Sequence, residues 1–237
     1  MIQFSIIKEE VYSIYDDYKG YGIFTDNRIE INEEKNGKKI ISWPNYKSGI
    51  IKKDYLHIFR NIISERQYSY QFKDNSILQF YYDFSEDNIL EKARLAYYPL
   101  PKFTCEISDE ELLEHFIEYD YSYNDASYII ENGGFLTNTS HIRIDYDKNV
   151  TSHDKCEIQI DGLHEIRIPC SILINPLYFF EFILKCKAIV DNEYYKAYEK
   201  LQKDAGFIAK KKLSQKKHLR MENFSDSNIY ITILEEE

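Results

Sequence analysis

The chain carries no excess of positive charge. Its 30 Lys and Arg face 40 Asp and Glu, a formal net charge of −10. That excludes a protein that coats nucleic acid with its whole surface, though not one with a local basic patch. Paired-cysteine motifs are missing as well. Cys105, Cys156, Cys170 and Cys186 show no CxxC spacing, and buried free thiols in a reducing compartment are expected. No run approaches the roughly 20 apolar residues that a membrane helix needs. Met1-Ile2-Gln3-Phe4 lacks the charged flank, apolar stretch and small-residue cleavage site of a secretory signal. The expected location is the cytoplasm, with no membrane partner. Gly-rich phosphate loops, GxSxG elbows and Walker motifs are absent, so P-loop ATPase and α/β-hydrolase readings drop out.

What is present describes an ordinary globular protein: 237 residues, 43% hydrophobic and 30% charged. Aromatics reach 16%, with 22 Tyr, a bias expected of an AT-rich bacterial genome. Residues 3–18 have the apolar spacing of a helix, closed by Gly20 and Gly22. Arg28–Ile31 and Lys39–Trp43 flank Asn36-Gly37, a tight hairpin signal. Asp54 is placed to cap a helix over Tyr55–Glu65. Three strand-like runs follow: Tyr68–Phe72, Ile77–Phe84 and Leu90–Tyr98. Ser108-Asp-Glu-Glu111 is a capping-box pattern. Asn175-Pro176 opens a helix to about Ala188, and Asp191 caps another to about Asp204. Strand groups separated by helices predict an α+β fold with mostly antiparallel sheet and several packed helices. The expectation is a single domain over 1–237. A weak subdivision signal lies near 99–107, dividing a helix-plus-meander part (1–100) from a part holding the later strands (108–237).

The most informative stretch runs from His141 to Pro169. His141, Arg143, Asp145 and Asp147 alternate strictly with Ile142, Ile144 and Tyr146, the period of a strand with one buried face. Glu157, Gln159 and Asp161 alternate likewise with Cys156, Ile158 and Ile160, and Arg167 with Ile166 and Ile168. A three-stranded meander results, turning at Asp161-Gly162.

Its polar face is the candidate site, with His141, Arg143, Asp145, His153, Glu157 and Arg167 as candidate catalytic residues. His beside carboxylates can shuttle protons or ligate a divalent ion, and His164 is a further candidate there. Asp145 with Glu157 resembles the metal-holding pair of restriction-type nucleases, which would take a divalent cation such as Mg²⁺. Gln159 stands where such sites have Lys. A metal-free version uses His141 and His153 as acid and base, with Arg143 or Arg167 on a phosphate. A third reading has Arg143 and Arg167 pairing Asp145 and Glu165 in a network that only fixes the fold. Two other stretches stand out. The acid-free run holding Lys210, Lys211, Lys212, Lys216, Lys217 and Arg220 could bind nucleic-acid phosphates or an acidic partner. Arg94 with Tyr97 and Tyr98 could stack bases.

Gln79-Phe-Tyr-Tyr82, Ala93-Arg-Leu-Ala-Tyr-Tyr-Pro99, His141–Asp147, His153, Arg167-Ile-Pro169 and Asn175-Pro176 followed by Phe179–Ile183 resemble, in order, a bacterial family, domain of unknown function 2290. The family pattern has Pro after the His matching His153 and a second His three residues later. Asp154 and Glu157 stand there in this chain. The resemblance implies an uncharacterised protein encoded near restriction or phage-defence genes, and supplies no activity. Two functions therefore stand side by side. One is an accessory binding subunit of a phage-defence or mobile-element system, partnered by another protein of its locus. The other is a nuclease or nucleotide-processing enzyme using the His141/Asp145/His153/Glu157 face.

Overall fold

In the computed structural model, β5 (Ile77–Phe84) is the strand around which the rest is laid. Residues 3–47, 55–103, 136–138, 140–160, 166–209 and 219–220 are described. Leu78, Phe80, Tyr82 and Phe84 on β5 are all 0% exposed, as the alternation predicts. On one side β5 pairs with β4 (Tyr70–Phe72), which pairs with β1 (Phe24–Asn27). On the other it pairs with β6 (Leu90–Tyr98), followed by β9 (Ile142–Asp147), β10 (Cys156–Ile160) and β11 (Ile166–Pro169). The hairpin β2 (Glu30–Glu33) and β3 (Lys39–Ser42) joins β5 through β3. Every pairing in this sheet is antiparallel. Two short ladders stand apart: β7 (Lys102–Phe103) with β8 (Leu136–Thr137), and β12 (Ile172–Leu173) with β13 (Leu219–Arg220).

The elements follow from local chemistry. Gly37 at φ +84° makes the β2–β3 turn, a conformation that costs glycine little. Asp191 accepts hydrogen bonds from the Glu193 and Tyr194 amides and starts α4 (Asn192–Lys203). At α3 (Pro176–Val190) Pro176 takes the first turn as expected. Asn175, however, does not cap with its side chain. Its amide donates instead to Glu10 on α1 (Phe4–Tyr18), at 3.3 Å. Strand β1 has no counterpart in the sequence reading, because four residues of alternating partial exposure give little period to detect.

The two faces of the sheet are covered unequally. One is packed by α1 through Ile7, Val11 and Ile14, by α3 through Phe179, Phe180 and Ile183, and by Tyr194 and Leu201 of α4. The other face holds a smaller core. There α2 (Tyr55–Ser64) sets Tyr55, Ile58, Phe59 and Ile62 against Ile77, Ala96 and Tyr98. Among the described residues, only part of that second face is covered. β6 pairs directly with β9, so strands from both sides of residues 99–107 share one sheet. Cys105, the region after Ser108, the Asp161-Gly162 turn, His164, Glu165 and the C-terminal tail lie outside the described residues.

Candidate functional site

Three rows of side chains cross the second face. In the first, Tyr81 lies opposite Arg94, Arg94 opposite Asp145 and Asp145 opposite Glu157. The second runs Gln79, Ala96, Arg143, Gln159, Arg167, and the third Asp83, Lys92, Asp147. Directly paired residues on antiparallel strands point to the same face. The register therefore brings charged residues from five strands together. They line a cleft of about 480 Å³, within the usual size range of ligand sites.

Within the cleft, charge alternates and cancels. Arg94 Nε donates to Asp145 Oδ1 at 3.0 Å. Arg143 Nε lies 2.8 Å from Asp145 Oδ2, close enough for charge attraction though not aligned as a hydrogen bond. The other arm of Arg143 donates to Gln159, and the Gln159 amide donates to Glu157. Arg167 Nη1 donates to Glu157 Oε1 at 2.6 Å. Lys92 and Asp147 approach to 2.9 Å. Burial pushes the Arg94 guanidinium down, but Asp145 and the neighbouring Tyr98 and Tyr46 outweigh it and hold it above its ordinary value. Burial likewise pushes Asp147 up. The bond from Lys92 and the Asn149 amide overcome that and keep the carboxyl below its usual range.

One wall is aromatic. Tyr46 stacks on Tyr81 with ring centroids 4.3 Å apart and planes at 12°. Gln67 positions that wall. Its Oε1 accepts from Trp43 Nε1 at 3.0 Å and from the Lys47 amide at 2.9 Å. Its Nε2 donates to the Asn45 carbonyl at 3.1 Å. The 43–47 loop is thus pinned beside the sheet.

The residues singled out in the sequence divide into three groups. Arg143, Asp145, Glu157 and Arg167 meet on the cleft floor, and His153 sits at its rim with Nδ1 3.5 Å from Glu157 Oε2. His141 shares their strand face but falls under α2. It is 2% exposed, its ring 4.9 Å from Tyr98 and 6.4 Å from Tyr55. Lys210, Lys211, Lys212, Lys216 and Lys217 lie outside the described residues, while Arg220 belongs to β13, paired with Ile172. Arg167 pairs with Glu157. Arg94 and Tyr98 do face the second side of the sheet, whereas Tyr97 packs on the opposite side near Phe72, at 6.4 Å.

Asp145 and Glu157 are direct register partners. Each is turned to a guanidinium, and no group of three His, Cys, Asp or Glu among the described residues is placed to share an ion. Tyr46, Tyr81, Asp83, Lys92 and Lys155 are cleft residues that sequence reasoning did not single out. Tyr81 and Lys92 were legible in principle from the alternation in β5 and β6. Tyr46 sits in an irregular loop that carries no period.

No helix among the described residues is long and apolar enough to cross a membrane. No curated protein and no solved structure matches the chain. Residues 23–230 do match the model of an uncharacterised conserved protein family, DUF2290, and the chain, with its α+β fold and charge-laced sheet face, belongs to that family.

Proposed function

We propose that this protein is a binding subunit that recognises another protein through the cleft on β5, β6, β9 and β10. Its setting would be an accessory role in a bacterial phage-defence or mobile-element locus, as its family resemblance suggests. One observation carries the choice of binding over catalysis: Asp145, Asp147 and Glu157 are each already neutralised by a cation from the same sheet. A general base or metal ligand needs a lone pair free to act. The charge balance also favours protein over nucleic acid. Lys92, Arg94, Arg143, Lys155 and Arg167 line the cleft beside Asp83, Asp145, Asp147, Asp154 and Glu157. Five charges of each sign offer a polyphosphate no net attraction, but they suit a protein surface of mixed charge, where complementarity sets specificity.

A second reading rests on His153. Its side chain is 40% exposed; its Nδ1 bonds the Asp154 carbonyl at 2.9 Å and lies 3.5 Å from Glu157 Oε2 beside Arg167, a His near a carboxylate of the kind that moves protons in phosphodiester hydrolysis. One experiment separates the two. Tagged protein would be co-expressed with each protein encoded at its own locus, as wild type and as the cleft variant Lys155→Ala/Arg167→Ala. Both would also be assayed on a chromogenic phosphodiester, single-stranded DNA and RNA with Mg²⁺ or Mn²⁺. The binding reading expects a stoichiometric complex weakened in the variant and no turnover. Turnover that disappears in His153→Ala, with folding intact, overturns it.

A further inference from the structure

On the core side of the meander, away from the cleft, two thiols face one another. The β10–β11 ladder ends at the Glu157–Pro169 pair. One step further the Cys170 amide donates to the Cys156 carbonyl at 2.9 Å. Both cysteines are free, and the ladder register sets their side chains on one face, the Cys156 thiol donating to the Ile172 carbonyl at 3.9 Å and the Cys170 thiol to the Ile168 carbonyl at 3.6 Å. Cys156 is 1% exposed, while Cys170 is half-buried. Antiparallel partners joined by backbone hydrogen bonds hold their Cα atoms about 5.5 Å apart, inside the roughly 4.4–6.8 Å span of disulfides. Cβ atoms opposite one another are about 4.5–5.5 Å apart, at or beyond the roughly 3.5–4.5 Å of a relaxed disulfide. A small pinch of the two strands closes the bond, and a bond under such strain is readily reduced.

We propose that Cys156 and Cys170 form a reversible oxidation site, a dithiol that hydrogen peroxide converts into an intramolecular disulfide. The more accessible Cys170 sulfur gives an electron pair to one peroxide oxygen, and the O–O bond breaks. The other oxygen leaves with the thiol proton as water, so Cys170 becomes a sulfenic acid. The Cys156 sulfur then attacks the sulfenic sulfur, the S–S bond forms, and the hydroxyl leaves with the Cys156 proton as a second water. Two thiols are oxidised and one peroxide is reduced. A small-molecule dithiol reverses the step by exchange and is itself left as a disulfide. The unequal thiols suit these roles. Interaction with the neighbouring Cys170 thiol, and then burial, push Cys156 up, while the same interaction pulls Cys170 down against its own burial. Glu157 directly follows Cys156, so closure bears on the Glu157–Arg167 pair at the cleft floor, whatever the cleft binds.

The test uses the full chain with Cys105→Ser and Cys186→Ser to remove competing thiols. It is treated with equimolar hydrogen peroxide, alkylated, and mapped by intact and peptide mass spectrometry. The proposal expects a mass lower by two hydrogen atoms, a crosslink joining the peptides of Cys156 and Cys170, and reversal by dithiothreitol. Cys170→Ser should abolish the product, and Cys156→Ser should leave a sulfenic acid that dimedone traps. If Cys156→Ser does not fold, the crosslink map and Cys170→Ser still decide. Two thiols that remain fully alkylatable, or a crosslink found only between molecules, overturn the proposal.

Discussion

Replacing Asp145 by Asn separates a structural from a catalytic role for the cleft floor. The substitution keeps the shape of the side chain and removes its charge. Two guanidinium groups depend on that charge, Arg94 at 3.0 Å and Arg143 at 2.8 Å, with side chains 22% and 13% exposed. At an effective dielectric of about 20, a unit pair separated by about 4 Å attracts by about 4 kcal/mol. Breaking a buried pair by deleting one partner costs about 3–5 kcal/mol. Residual exposure lets water recover part of this, and the Asn oxygen still accepts one bond. The expected loss is therefore about 2–4 kcal/mol. For a chain of this size that corresponds to a melting point about 5–15 °C lower. Urea denaturation followed by circular dichroism would measure it, with an unchanged slope showing that the unfolding reaction is the same. Adding Arg143→Gln to Asp145→Asn should restore about 1 kcal/mol, because it relieves the repulsion between two neighbouring cations. A loss below about 0.5 kcal/mol, the scatter expected of an unconstrained surface site, would refute the reasoning. If such a stable variant also lost an activity of the wild type, Asp145 would be a catalyst.

The buried pair between Lys187 on α3 and Asp74 in the β4–β5 turn should behave in a related way. Lys187, with 6% of its side chain exposed, also reaches Ser76 at 2.9 Å and lies over the rings of Phe72, Tyr97 and Tyr194. Asp74→Ala should cost about 3 kcal/mol, whereas Asp74→Ala/Lys187→Met should fall within about 1 kcal/mol of wild type. Equal losses in single and double variants, compared by urea titration, would count against an electrostatic origin. Acid should weaken the fold through the same carboxylates. For Asp74, burial pushes the carboxyl up, but Lys187 and Ser76 outweigh it and hold it below its ordinary 3.8; Asp147 is held below the same value by Lys92 and Asn149. A depressed carboxyl contributes stability that is complete above its unfolded value and is lost as pH falls through its folded value. Thermal melts should thus hold level above about pH 5 and decline progressively below about pH 4. The Asp74→Ala/Lys187→Met variant should show a shallower decline, and an identical slope would remove this pair from the acid response.

Much of the scaffold was legible because its signals are local. Period two in β5, β6, β9 and β10, the Asn36-Gly37 turn and the Asp191 cap each follow from neighbouring residues. The site was legible only in part. Alternation places His141 with Arg143 and Asp145, and the three do share a sheet face. It carries no information about α2, whose apolar stripe says that it packs but not over which strands. That packing sends His141 into a core and leaves Arg143 and Asp145 in the open cleft.

By itself, then, the sequence determined which residues alternate, where helices begin and which strand faces are polar, because a few bonds of backbone geometry decide these. Tertiary structure alone decided that Arg94 meets Asp145 across 51 residues, that Arg167 pairs with Glu157, and that Tyr46 lies on Tyr81. Such contacts depend on the register between β6 and β9 and on a loop pinned by Gln67. Register is set by the packing of whole faces, which no short stretch of sequence contains.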